Sequence, residues 1–255
     1  MDIVTRTADL MKKETTFCLV TIVVSSRPEV QPGRKVIVLE DGSLEGSLGT
    51  EALDTRLSGL ALDALKNKKR QLVEIDNGIQ IFVDILTAGT RLVICGAGHI
   101  AVPLAQFARS VGFRVTVLDD RSDFANPLRF PDCEVIAEDF PLALREMAFG
   151  PSTYVVVITR GHVHDVDCLT EILDKKLAYI GLIGSRRRVR IVLEILGKEG
   201  ISQAHLKKVF TPIGLPIGAE SPEEIAISIV SELVCVRRKG PAQAKTIRTA
   251  VGMDL

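Results

Sequence analysis

Gly96, Gly98 and Ala101 form a G-x-G-x-x-A turn directly behind the apolar run Leu92-Val93-Ile94-Cys95, and a helical pattern starts at the turn. That order suits phosphate chemistry. Gly96 permits a tight turn, Gly98 lets backbone approach a pyrophosphate, and Ala101 lets the helix lie close to the strand while its free N–H groups face the anion. A second run, Arg114-Val115-Thr116-Val117-Leu118, ends at Asp119-Asp120, about 20 residues past the glycines, where a ribose hydroxyl needs an acceptor. Arg121 follows. Two further apolar runs end in equally polar segments, Thr159-Arg160-Gly161-His162-Val163-His164-Asp165 and Gly184-Ser185-Arg186-Arg187-Arg188. Ligands of open α/β sheets bind beyond the carboxyl ends of the strands, so these four strand ends are expected to meet at one site.

Each group has more than one reading. Arg186 to Arg188, with Arg190, read either as a solvated first helical turn or as an anion clamp; cations at a helix N-terminus oppose the macrodipole, and a bound anion relieves that. His162, His164 and Asp165 could ligate a metal if alternate residues of a strand faced one way, but no third ligand with recognisable spacing accompanies them, so hydrogen bonding in the loop or to a ligand is expected and no metal. His99 sits where a helix N-terminus favours neutral imidazole, in either a structural or a ligand-contacting role. Cys95 closes an apolar strand and reads as a small core residue or as a sulfur-handling group beside the turn, and Cys168 has the same two readings.

The elements that must position these residues follow from periodicity. After Arg91 strands and helices alternate: 91–95, 99–111, 114–118, 134–137, 153–158, 165–175, 178–183 and 186–199. This indicates a parallel sheet covered on both faces. A last helix begins at Ser221-Pro222-Glu223-Glu224, a capping box with Pro at the first helical position, and buries Ile225, Ile229, Leu233 and Val236. Before Asp84 the runs 17–24, 35–39, 71–75 and 79–85 are short and rich in branched residues, punctuated by Asp41-Gly42 and Asn77-Gly78, with one helix around Leu57 to Leu65. The expected fold is therefore α/β: a Rossmann-like doubly wound parallel sheet over 89–239, preceded by a smaller N-terminal α+β domain over 1–88. Residues 240–255 read as a flexible basic tail that could dock on a neighbouring protomer, so a homodimer is one expectation.

Composition narrows the functional classes. With 32 basic and 32 acidic residues the formal net charge is zero, which argues against a general nucleic-acid surface and makes any anion binding local. Five widely spaced cysteines with no C-x-x-C suggest neither a disulfide framework nor a thiolate zinc site, as suits a reducing cytoplasm. No apolar run approaches the ~20 residues of a membrane span, and no signal-peptide pattern is present, so export is not expected.

Five linked segments carry a resemblance: Gly-Ala-Gly-His-Ile-Ala-x-Pro-Leu-Ala (96–105), Asp-Asp-Arg-x-x-Phe-Ala (119–125), Arg-Gly-His-x-His-Asp (160–165), Tyr-Ile-Gly-Leu-Ile-Gly-Ser-Arg-Arg-Arg (179–188) and Pro-Ile-Gly-Leu-x-Ile-Gly-Ala-Glu-Ser-Pro-Glu-Glu-Ile-Ala (212–226). Together they resemble the XdhC/CoxI family of maturation factors for xanthine dehydrogenase and related molybdenum hydroxylases. Ser26-Arg27-Pro28, Pro32-Gly33-Arg34-Lys35 and Asp41-Gly42 resemble the family's small domain. The chain departs from it at Gly49-Thr50-Glu51-Ala52-Leu53-Asp54, where the family commonly shows three glycines and an acid, and at Ser25-Ser26-Arg27-Pro28, where the usual opening is Gly-Ser-x-Pro. Backbone then approaches a ligand less closely, and a plain loop entering a helix is the alternative at 49–54.

The resemblance implies an accessory protein that binds the molybdenum cofactor, as molybdopterin or its cytosine dinucleotide. It also implies protection of that cargo while a cysteine desulfurase adds the terminal sulfur, then delivery to an apo molybdenum hydroxylase. No catalysis by the chain itself is expected. The site would comprise Gly96, Gly98, His99, Ala101, Asp119, Asp120, Arg121, Arg160, His162, His164, Asp165, Gly184, Ser185, Arg186, Arg187, Arg188 and Glu220, with loops 160–165 and 212–220 covering it. The same turn serves an NAD(P)-dependent oxidoreductase, the competing class. The chain offers no Tyr-x-x-x-Lys pair, although His99, His162 or His164 could act as acid or base.

Overall fold

The structure is a computed structural model that describes residues 2–13, 15–76, 78–86 and 89–250. It divides into two compact units, Met1–Ala88 and Gly89–Leu255.

The first unit runs α1 (Ile3–Lys12), β1 (Phe17–Ser25), β2 (Lys35–Leu39), β3 (Leu44–Glu45), α2 (Glu51–Asn67), β4 (Gln71–Asp76) and β5 (Ile79–Leu86). Its strands pair antiparallel in the order β3-β2-β1-β5-β4. Alternation decides which face is inner: Ile79, Ile81 and Val83 are fully buried, whereas Phe82 between them is 38% exposed. Onto that inner face α2 packs Leu53, Leu57, Ala61 and Ala64. Residues 49–54 are the entry to this helix: the Leu53 N–H donates to the Thr50 hydroxyl at 3.4 Å and the Leu48 N–H to Asp54 at 2.6 Å. Asn77, assigned to a turn with Gly78, lies outside the described residues; Gly78 itself takes φ +81°.

The second unit runs β6 (Arg91–Cys95), α3 (Ala101–Ser110), β7 (Arg114–Asp119), β8 (Glu134–Ala137), α4 (Phe140–Glu146), β9 (Thr153–Val157), α5 (His162–Ile172), β10 (Tyr179–Leu182), α6 (Arg186–Lys198), α7 (Gln203–Leu206), β11 (Val209–Phe210), α8 (Pro222–Lys239) and α9 (Pro241–Ala250). Its sheet is parallel, in the order β11-β10-β9-β6-β7-β8. Counted from β6, that is the doubly wound order 3-2-1-4-5-6, with the switch point between β6 and β9. Central strands of such a sheet are covered on both sides, and β9 is buried at every position. One face packs Leu92, Ile94, Tyr154 and Val156 with α3 and α8; the other packs Val93, Cys95, Val155 and Val157 with α4, α5 and α6.

Two expectations need correction. The tail is helical over Pro241–Ala250 and packs on α8, with Ala244 fully buried, so it is a flexible extension nowhere in its described part; residues 251–255 lie outside the description. The helix after β9 starts at His162 rather than 165. His162 and His164 are therefore two helical positions apart, pointing about 200° away from each other instead of along one strand face.

Candidate functional site

At the switch point the backbone ladder runs into the glycine turn from both sides: the Gly96 N–H donates to Leu118 O at 2.7 Å and the Ile158 N–H to Cys95 O at 2.8 Å. The two glycines do different work. Gly96 has φ +112°, and a Cβ there would lie 2.5 Å from Ile158 O, so the fold itself requires glycine. Gly98 has nothing within 4 Å of where its Cβ would stand and faces open space. Ala101, fully buried, lets α3 settle on the sheet.

Around Gly98 lies a cleft of about 370 Å³, lined by Gly98, His99, Ile100, Ala101, Asp119, Arg121, Phe124, Ile158, Thr159 and Arg160. Its volume falls within the ~300–1,000 Å³ of small-molecule sites. Larger hollows exist, a shallow one of about 520 Å³ beside the start of α2 and one of about 750 Å³ at the amino ends of β9 and β10, but neither touches the strand ends where the charged residues gather.

Asp119 takes a role other than that of a free ribose acceptor. It is 1% exposed and its carboxylate is fully engaged: it accepts from the Ala97 N–H at 2.7 Å, the Arg121 N–H at 3.1 Å, and Arg121 Nε and Nη2 at 2.8 and 3.0 Å. Burial raises its proton affinity, and these donors outweigh burial and hold the carboxyl below its ordinary range. Asp119 thus pins the glycine turn. Arg121, so held, lies 3.6 Å above the Phe124 ring, and Arg129 approaches the same ring while donating to Ala97 O at 2.9 Å. Asp120 remains at the rim, gripped by both terminal nitrogens of Arg160, which pull its carboxyl down to about 2.

Behind the cleft a second buried carboxylate joins two helix starts. Asp165 is fully buried; it accepts from the Thr159 hydroxyl at 2.6 Å and from Arg188 Nε at 2.8 Å, while Arg188 also reaches Thr159 O at 3.1 Å. Burial pushes this carboxyl up despite those partners. Arg188 thus ties α6 to the cleft wall. Gly184 lies under the Arg188 side chain, Ser185 caps α6, and Arg186 and Arg187 are exposed beyond the cleft lining. His162 is exposed at the start of α5; His164 packs on Phe140 and faces Asp167 at 3.8 Å. Glu220 sits outside the cleft, just before the capping box at Ser221. Among the described residues no cluster of three His, Cys, Asp or Glu could hold a metal ion.

Cys95 and Cys168 are both fully buried, and burial together with contact between them holds the Cys168 thiol well above its ordinary value. A thiolate is disfavoured at Cys168, as for a buried core cysteine. The expected site left out Ile100, Phe124, Ile158 and Thr159; Ile100 lies inside the glycine-turn motif, Phe124 and Thr159 stand beside charged residues in theirs, and Ile158 gave no signal beyond following β9.

A doubly wound parallel sheet with a glycine turn and a cleft at its switch point defines a Rossmann-type domain. Residues 92–233 match the XdhC Rossmann domain and residues 10–76 match the XdhC and CoxI family, and the chain belongs to that family. Among relatives, the uncharacterized protein YqeB of Escherichia coli (strain K12) is 29% identical over 257 residues, covering 94% of this chain and 47% of YqeB. A probable xanthine dehydrogenase subunit of Bacillus subtilis (strain 168) is 36% identical over 169 residues, covering 66% of this chain and 49% of that protein. This chain spans about half the length of these curated relatives. The crystal structure of a xanthine dehydrogenase from Bacillus halodurans aligns with TM-score 0.66 and 28% identity over 98% of this chain and 70% of that one. No described helix is long and apolar enough to cross a membrane.

Proposed function

We propose that this chain is a xanthine dehydrogenase accessory protein that holds the molybdenum cofactor in the Gly98 cleft and assists its sulfuration and insertion into a xanthine dehydrogenase-type molybdenum hydroxylase. The observation that carries the reading is the open face of Gly98 at the switch point of an XdhC Rossmann domain. The Bacillus subtilis relative and the xanthine dehydrogenase structure support the choice of recipient.

The residues fit such a group. Gly98 leaves room for a phosphate against the backbone at the start of α3, and the guanidiniums of Arg121 and Arg160 stand at the rim. His99, exposed at the cleft, adds a hydrogen-bonding group for a pterin edge, and Thr159 walls the cleft. When bound, the cofactor supplies the metal centre and terminal sulfur that the recipient enzyme uses. An incoming phosphate competes with Asp120 for Arg160. That pair is exposed and costs under about 1 kcal/mol to part, which suits cargo that must be released. Arg186 and Arg187 add positive field from the next strand end, and the apo hydroxylase and a cysteine desulfurase are the partners in this reading.

The NAD(P)-dependent oxidoreductase reading draws no comparable support, since the buried carboxylate at the end of β7 is spent on Ala97 and Arg121. The test is equilibrium binding of ligand-free protein to molybdenum cofactor, NAD and NADP, followed by fluorescence, with Gly98→Asp beside the parent. We expect preferential binding of the pterin and its loss in Gly98→Asp at unchanged melting temperature, because a Cβ at this position meets no protein atom within 4 Å. Tight NAD binding without pterin binding, or full pterin binding by Gly98→Asp, overturns the reading.

A further inference from the structure

The hollow of about 750 Å³ lies at the amino ends of β9 and β10, the opposite end of the sheet from the cleft. Lys175, Lys176, Lys207, Lys208 and Lys245 line it, five of the seven lysines in residues 89–255; the other two are Lys198 and Lys239. They arrive from three separate segments, after α5, after α7 and within α9. Asp174 is the one acidic residue in the lining, and it pairs with Lys175 at 3.2 Å. Lys176, Lys207 and Lys208 are exposed and form no ion pair among the described residues. Between the cations the floor is apolar, with Leu177, Ala178 and Phe210, over whose ring Lys245 Nζ stands at 5.0 Å.

We propose that this groove docks an acidic, extended segment of a partner polypeptide, carboxylates on the lysine rim and apolar side chains on the floor. Cations after a helix gain a few tenths of a kcal/mol from its macrodipole, which accounts for Lys175 and Lys176 singly. It does not account for Lys245, in the first half of α9, or for three segments converging on one apolar floor. Nucleic acid is the poorer occupant: no arginine lines the groove, and Tyr179 and Phe210 are buried, leaving no ring on which a base could stack. On a chain of zero net charge such a concentration of one sign steers one class of partner, whether or not the cleft holds the proposed cofactor.

The test uses the full chain and a fluorescein-labelled peptide of four Glu-Glu-Leu repeats, read by anisotropy, with a twelve-residue oligothymidylate in parallel. We expect the peptide to bind more tightly than the oligonucleotide, its affinity falling steeply with salt, and Lys207→Glu with Lys208→Glu to weaken it about tenfold or more. Lys198→Glu with Lys239→Glu, outside the groove, makes the same change in net charge and should leave binding within about twofold. Equal losses from the two double variants, no loss from the first, or preference for the oligonucleotide would each overturn the proposal. Melting temperatures of both variants separate lost binding from lost fold.

Discussion

The two ends of the parallel sheet hold charge in opposite ways. At the carboxyl end Asp119 and Asp165 are buried, and each is locked to an arginine that also touches the cleft wall: Arg121 through Phe124, Arg188 through Thr159. At the amino end most of the lysines stand exposed around an apolar floor. Planar guanidiniums suit fixed, multidentate positions, and flexible ammonium groups suit a surface that adapts. A site that must hold a particular geometry is built by the first arrangement, and one that attracts a class of partner by the second.

If the carboxyl end is rigid by construction, its structural residues should cost the most. Gly96→Ala places a methyl 2.5 Å from Ile158 O on a backbone with φ +112°. We expect a loss of about 3 kcal/mol or more in urea unfolding, as strain and overpacking add. A near-neutral result would mean that the turn can move, and the contrast with the lysine end would fail. Next comes Arg188→Ala, which strands the buried Asp165 carboxylate. About 3 kcal/mol is expected, and the double variant with Asp165→Asn should lose less than the sum of the two singles. Additive losses would show that the pair does not act as a unit.

The doubly wound order was legible because its strands announce themselves. Leu92 to Cys95 and Tyr154 to Ile158 are unbroken apolar runs, the first ending at Gly96 and the second at Thr159-Arg160, as suits strands buried on both faces. What escaped was short or lacked strong periodicity. α4, α7, β3 and β11 give few repeats of any period, α9 buries only Ala244 in its described side chains, and α1 is amphipathic but buries only Leu10 fully. The residues of the candidate site were legible as types at strand ends, but their division of labour was not. Nothing local tells Asp119 from Asp120. The difference arises because Asp119 closes β7 and points at the Ala97 N–H from 22 positions away, while its neighbour faces solvent and Arg160.

That difference is testable through acid. Asp120 titrates at about 2 in the folded chain against ~3.9 for a free aspartate. A lowered folded value contributes stability above about pH 4, which is lost as pH falls towards 2. Asp165 has the opposite sign, since its raised value favours the folded state as it protonates. Arg160→Ala frees Asp120 and leaves Asp165 untouched. Between pH 5 and 2 the variant should therefore lose less stability than the parent, by under about 1 kcal/mol as befits an exposed pair. Identical acid profiles would show that the Arg160–Asp120 grip is not held in solution.

The smallest effect is expected at Arg187, and its smallness is informative. Arg187 is exposed on α6, outside the lining of the cleft, whereas Arg160 forms part of that lining. A cation that acts through solvent is screened over a Debye length of about 8 Å at physiological salt, and one that touches the ligand is not. Arg187→Ala should then weaken cofactor binding by less than about threefold at low salt, with no difference left at 0.5 M, while Arg160→Ala weakens it at both. Cofactor affinity measured at the two salt concentrations decides. A salt-resistant loss at Arg187 as large as that at Arg160 would move the anion grip from the glycine turn to the start of α6. It would also make the carboxyl end like the lysine end, a field of exposed cations rather than a fixed cradle.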